Sequence, residues 1–243
     1  GSYNPKDLEQ VARMHKAIAI ILFKLEGQAI KRNPSFRMES RLLLDKIQYE
    51  TGTIEMEGKV YQLKDWDFPT VDKEDPFRLS EEEAEVMSQL RFSFQQSEKL
   101  QKHVKFLYSK GGMYLCCNQN LLFHGCIPME EDGSFTEFDL DGQKLSGKAF
   151  IDYTESLARQ GYYARPDTPE RQRGKDFLWF LWCGSSSPLF GRNKMATFER
   201  MLIGDKELDR EGKNPYYRYN NEEETCVRIL KEFGLEGEYC HII

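Results

Sequence analysis

The sequence predicts an α+β fold, and three observations carry that reading. Apolar residues recur at helical spacing through the opening segment, two alternating runs flank Glu57-Gly58, and short apolar runs follow Lys110-Gly111-Gly112. Helices first and mixed strands later is the order of an α+β chain, since alternating strand and helix would mark a parallel α/β sheet. Asn4-Pro5 supplies a cap and a first-turn proline. Leu8, Val11, Ala12, Ile18, Leu22, Leu25 and Ala29 follow at helical spacing, and Asn33-Pro34 stops the helix. A shorter helix is predicted over Glu39 to Tyr49, then a hairpin near 53–63 turning at Glu57-Gly58. Lys64 to Pro76 is rich in Asp and Pro and reads as a loop. Ser80-Glu81-Glu82-Glu83 is a capping box, opening a helix predicted to reach about Tyr108.

Beyond Gly112 the pattern changes. Met113 to Cys117 and Asn120 to Phe123 read as buried strands, with Cys116 and Cys117 as packing residues. Asp132-Gly133 and Asp141-Gly142 are turn signals. Ser146 to Gln160 reads as a helix carrying Phe150, Tyr153, Leu157 and Ala158 on one face, with Gly161 beyond its end. Arg165 to Lys175 reads as a charged loop, Phe177 to Trp182 as an aromatic core strand, and Gly184 to Pro188 as a turn. Glu222 to Phe233 is a last helix, and Cys240 to Ile243 a final strand.

Composition narrows the function. Lys plus Arg number 34 against 40 Asp plus Glu, a net charge of −6. A nucleic-acid partner is not expected, because phosphates call for a basic footprint. The apolar run Ala17 to Phe23 is too short to span a bilayer, so no membrane partner is expected. Six cysteines without regular spacing suit a reduced, cytoplasmic protein better than a disulfide scaffold. Gly1-Ser2 reads as a tag scar. A start inside a helix and a finish on an apolar run suggest an internal segment of a longer protein.

One stretch points to chemistry, Asn118 to Met129. His124 follows an apolar strand and precedes Gly125, well placed to leave a sheet edge for a cleft where the backbone can approach an ion. Neutral imidazole binds Mn, Fe or Zn. Taken alone, a histidine at such a place packs at a strand end more often than it binds a metal.

Leu122-Phe123-His124-Gly125-Cys126 resembles the fourth metal-binding motif of the calcineurin-like metallophosphatases. Leu121 to Phe135, Leu178 to Gly184, Ser187 to Gly191, Thr197 to Arg200, Lys213 to Tyr217 and His241 to Ile243 are together similar to the bacterial class 3 fructose-1,6-bisphosphatases. The resemblance implies a helical insertion over residues 3–110 and part of a metallophosphatase β-sandwich (α/β/β/α) over 111–243. It implies two divalent ions, usually Mn, about 3.5–4 Å apart. The substrate it implies is fructose 1,6-bisphosphate, cleaved at the 1-phosphate in gluconeogenesis. His124 is the one metal ligand that carries over. The three upstream motifs (Asp-x-His, Gly-Asp-x-x-Asp-Arg-Gly and Gly-Asn-His-Asp/Glu) are absent, and His241 reads as a strand residue beside the site. The chain alone is therefore expected neither to assemble the binuclear centre nor to hydrolyse the sugar phosphate. The alternatives are action on another phosphoester, such as a phosphoprotein, or a non-catalytic segment for oligomerisation or effector binding.

The remaining features are weaker. Cys183 lacks the Cys-x5-Arg spacing of a cysteine phosphatase, since Arg192 lies nine positions on. Ser185 to Ser187, Ser186 among them, either border the substrate or form a polar turn. Lys194, then Arg192 and Arg200, are candidate sugar-phosphate contacts, with a solvated surface cation as the commoner role. Arg165, Arg171, Arg173 and Lys175 could attract a phosphorylated ligand, though a solvated loop accounts for them as well. His15 and His103 read as structural. A homo-oligomer is a possible partner state.

Overall fold

The computed structural model describes residues 5–243. The expected Asn4 cap and Gly1-Ser2 scar lie outside the described residues. Helix α1 runs Pro5–Arg32, ending where Asn33-Pro34 requires. The predicted helix over Glu39 to Tyr49 is not formed. Single 3₁₀ turns stand at Glu39–Arg41 and Leu44–Lys46, and then the chain extends into β1, Ile47–Gln48. Pairing decides this, because Ile47 lies opposite Ile54 and Gln48 opposite Thr53 of β2, Thr53–Met56. Strand β3, Lys59–Gln62, completes the predicted hairpin through a turn in which Glu57 and Gly58 both have positive φ.

Helix α2 covers Glu81–Gln96 and α3 Glu98–Lys110, so the long predicted helix is broken. Ser97 turns extended, and its hydroxyl accepts a bond from the Leu100 amide, capping a second helix where continuation of the first was expected. The capping box forms as predicted: the Glu83 amide donates to Ser80 Oγ at 3.2 Å and the Ser80 amide to Glu83 Oε2 at 2.8 Å.

The described residues divide into two compact units. The first holds residues up to 34, Met38–Gln101 and Ala196–Asp209. Ile20 and Phe23 of α1 pack there with Leu44, Ile54, Leu63 and Phe198. Two buried ion pairs cross this core. Lys24, wholly buried, donates to Glu83 Oε2 at 2.7 Å and to the Thr70 carbonyl at 2.6 Å, while Thr70 Oγ1 donates to Glu83 Oε1 at 2.6 Å. Arg41 grips Glu199 through two guanidinium nitrogens and lies 3.9 Å from Glu26 Oε1. Glu199 belongs to α6, Thr197–Leu202, whose Leu202 carbonyl accepts from the Lys64 amide at 2.7 Å.

The second unit holds Ser35–Arg37, Lys102–Met195 and Arg210–Ile243. Strands β4 (Tyr114–Cys117) and β5 (Asn120–Phe123) form an antiparallel hairpin, and β6 (Phe138–Leu140) and β7 (Gln143–Leu145) form another that turns at Asp141-Gly142. Cys116 and Cys117 are exposed, because β4 is an edge strand and only β5 carries a fully buried residue, Leu121. Helix α4 spans Gly147–Tyr163, so Gly161 lies within the helix. A Cβ on Gly174 would come within 2.1 Å of the Gly161 amide nitrogen, so two glycines let α4 and its neighbour touch backbone to backbone. That neighbour is α5, Pro169–Cys183. Of the charged loop expected over Arg165 to Lys175, Arg165 to Thr168 is loop, and the remainder forms one helix with the expected aromatic strand, with Thr168 as N-cap and Pro169 in its first turn. Phe177, Phe180 and Leu181 are buried at helical spacing, whereas Trp182 is 56% exposed. Arg171 donates to the Ala164 carbonyl and Arg173 pairs with Asp141, so both are fixed near the start of the helix. Helices α7, Tyr216–Tyr219, and α8, Glu223–Glu232, lead to β8, His241–Ile242, parallel to β5.

The architecture is thus mixed helix and sheet, as the sequence predicts: two three-stranded sheets and one hairpin among eight helices of the described residues. Among them no helix is long and apolar enough to cross a membrane.

The buried acids set the pH response of the first unit. Burial works to raise the Glu83 carboxyl, but bonds from Lys24, Thr70 and the Ser80 amide outweigh it and hold the pKa below its ordinary value. Stability from Glu83 is lost only as pH falls through that lowered value. Glu26 behaves oppositely: burial raises its pKa from 4.5 to about 7, with Arg41 opposing and Glu199 adding to the rise. Over that range the folded chain keeps a proton that the unfolded chain releases, so stability falls as pH rises. The loss amounts to about 3 kcal/mol. Glu26→Gln is expected to remove this slope, as read by urea titration with hydrogen exchange of α1 amides.

Candidate functional site

His124 stands at the carboxyl end of β5, and the local sequence explains why. Asn118 and Gln119 both take positive φ, giving the tight turn that folds β4 back onto β5. The Asn120 side chain donates to the carbonyls of Cys117 and Asn118 and closes that turn. On the other edge, His241 lies opposite Asn120 and Ile242 opposite Leu121. The His241 amide donates to the Gln119 carbonyl at 3.0 Å and the Ile243 amide to the Leu121 carbonyl at 2.8 Å. Two parallel strands thus end on the same side, and His124 leaves the sheet at that end.

Gly125 completes the exit from the strand. Its φ is +89°, and a Cβ there would lie 2.1 Å from the Pro188 carbonyl oxygen. The next amide, Cys126 N, donates to that same oxygen at 2.8 Å, and Tyr217 Oη donates to the Gly125 carbonyl at 3.2 Å. The turn around Pro188 is held by Ser187, fully buried, whose hydroxyl donates to the Leu181 carbonyl and accepts from the amides of Leu189 and Phe190. Burial pushes the Cys126 thiol and the Tyr216 hydroxyl each up to about 12, so both stay neutral behind the site.

The His124 side is exposed and opens on two adjoining cavities. The larger, about 1110 Å³, is bordered by Lys110, Tyr114, Asp152, Glu155 and Arg159. The smaller, about 490 Å³, shares Glu155 and Arg159 and has an apolar wall of Leu107, Leu178, Leu181, Trp182 and Leu189. Arg159 ties this wall together. It donates to the Tyr108 and Gly111 carbonyls at the end of α3, and to Glu155, which accepts the Met113 amide at 2.8 Å. Sequence reading missed both residues, although their four-residue spacing on a helix was a signal for an ion pair. Lys148 is held above its ordinary pKa, first by the hydrogen bond to Asp152 and then by Tyr114.

Ser186, Arg192 and Lys194 do not line either cavity. Ser186 takes a positive φ in the turn before Pro188. Arg192 is exposed and reaches the Glu211 carbonyl and, at 3.8 Å, its carboxylate. Lys194 is half-buried. Among the described residues no three His, Cys, Asp or Glu side chains gather to hold a metal ion.

An exposed imidazole beyond the carboxyl end of a parallel strand pair, beside a roomy cleft, defines an α+β protein with a strand-end site. The chain belongs to the family described as Firmicute fructose-1,6-bisphosphatase, whose model matches residues 1–243. It is 52% identical over 242 residues to "Fructose-1,6-bisphosphatase class 3" of Clostridium acetobutylicum, covering 100% of this chain and 36% of that protein. The protein of the same name from Clostridium botulinum strain Langeland is 51% identical over 240 residues, covering 99% and 36%. The chain thus spans about a third of the length of these curated relatives. No solved structure matches it.

The cleft depends on Gly125. Gly125→Ala is expected to cost about 2–4 kcal/mol, through strained backbone and the clash with Pro188. A thermal melt checks the loss.

Proposed function

We propose that the protein to which this chain contributes hydrolyses fructose 1,6-bisphosphate to fructose 6-phosphate and phosphate, in the cytoplasm and as a step of gluconeogenesis. The observation that carries this reading is the family match across residues 1–243. The names of the relatives supply the substrate. On this reading residues 3–110 are a helical insertion, and 111–243 are part of a metallophosphatase β-sandwich. The cofactor is a pair of divalent ions, Mn by preference, with His124 as the one ligand this chain contributes. Support for His124 comes from its exposure at the strand end and from the Gly125 backbone that follows it. Ser186, Lys194 and Arg192 are secondary candidates for phosphate contact. Ser186 belongs to the turn whose Pro188 carbonyl accepts from Cys126.

Two assays test this reading. The 243-residue chain alone is expected to release no phosphate from fructose 1,6-bisphosphate in the presence of Mn. A polypeptide of the relatives' full length is expected to release it, and to leave a phosphopeptide uncleaved. In that longer polypeptide His124→Ala is expected to lower kcat about a hundredfold or more and to weaken Mn binding, measured by electron paramagnetic resonance. Unchanged Mn affinity in His124→Ala would remove His124 from the ligand set. Cleavage of the phosphopeptide alone would overturn the substrate assignment.

A further inference from the structure

Helix α1 carries a repeat whose first part, Leu8 to Ile18, its own fold leaves exposed, while Leu22 and Leu25 are half-buried. Leu8, Val11, His15, Ile18, Leu22 and Leu25 are spaced alternately by three and four residues, the seam of a coiled coil. The opposite face of the helix, with Ile20, Phe23 and Lys24, is the one that enters the core. On the seam Leu8 is 54% exposed, Val11 49% and Ile18 45%. Residues 6–15, in the first turns of this 28-residue helix, are exposed throughout.

The seam also forms one wall of a groove of about 480 Å³, between His15, Ile18, Leu22 and Leu25 on one side and Met87 and Met201 on the other. Along α2, Leu90 and Phe94 follow Met87 at the same three-and-four spacing, and both are exposed. A groove with this period takes a helix with a matching period. The chain itself carries that helix. Ala12 and Ala19, flanking the seam, allow close approach of a second axis.

We infer that two copies of this chain associate through the α1 seam and the α1–α2 groove, in a two-fold interface where each α1 covers the other. The area suffices. From Leu8 to Leu25 the seam is about 26 Å long, and two helix widths are about 20 Å, so each copy offers about 500 Å². The pair buries about 1,000 Å², the threshold for a specific interface. A closed two-fold contact needs only one self-complementary patch, and a helix meeting its own repeat is one. This interface is independent of the catalytic reading, because it uses none of the residues around His124.

The test is light scattering and sedimentation equilibrium of the 243-residue chain across concentration. A dimer is expected, dissociating at about 1–10 µM. Val11→Asp and Ile18→Asp alter exposed positions, so circular dichroism should remain that of a folded chain. Together they should raise the dissociation constant more than about a hundredfold. His15→Leu, which removes the one polar residue of the seam, should tighten the dimer about tenfold. A chain that stays monomeric at about 200 µM overturns the inference. A dimer that forms equally well with both aspartates in place overturns it too.

Discussion

Strand β5 must be hydrogen-bonded on both edges, and the site follows from that requirement. Leu121 at its centre is fully buried, so an unpaired amide or carbonyl there would lose its bond to water without replacement. One edge is satisfied locally, by a hairpin through Asn118 and Gln119. The other needs β8, whose residues come from far along the chain, and the closure entropy of that long segment must be repaid by packing. Leu121, Cys126, Ile127, Ile151, Ile229 and Phe233 supply it, drawing β5, α4 and α8 onto one core. The position of His124 is therefore a product of long-range pairing.

The first unit uses charge in its core where the second uses aromatic rings. One carboxylate, Glu83, caps α2, accepts from Lys24 and anchors Thr70. Removing either member of such a buried pair leaves the other charge stranded in the core. Glu199 does the same for α6, a helix far along the chain that joins this unit through Arg41. In the second unit Phe36 sits against Phe177 and Phe180, with ring centroids 5.1 and 4.7 Å apart, and needs no charge to be placed.

Much of this was legible in the residues. The α1 period, the hairpin at Glu57-Gly58, the capping box and the strand before His124 all depend on local chemistry, which sequence displays. The errors arose where a distant partner decided the outcome. Glu39 to Tyr49 has helical character, but Ile47 and Gln48 are claimed by β2. Phe177 to Trp182 reads as a strand when taken alone. Its helix begins earlier, at the Thr168-Pro169 signal, within a charged stretch that suggested a loop. Cys116 and Cys117 resemble core residues, yet β4 lies at a sheet edge. Of the cleft, His124 and Gly125 announce themselves by order in sequence. Arg159 and Glu155 do not, because their importance lies in carbonyls and an amide contributed by other elements.

The exposed pair Cys116 and Cys117 has a practical consequence. Neighbours along a strand project to opposite sides, and their Cα atoms are too close together for an unstrained disulfide. A disulfide at either thiol therefore has to be made with a cysteine other than its neighbour. The same geometry offers two chemical handles back to back on one strand, each addressing a different face of the sheet.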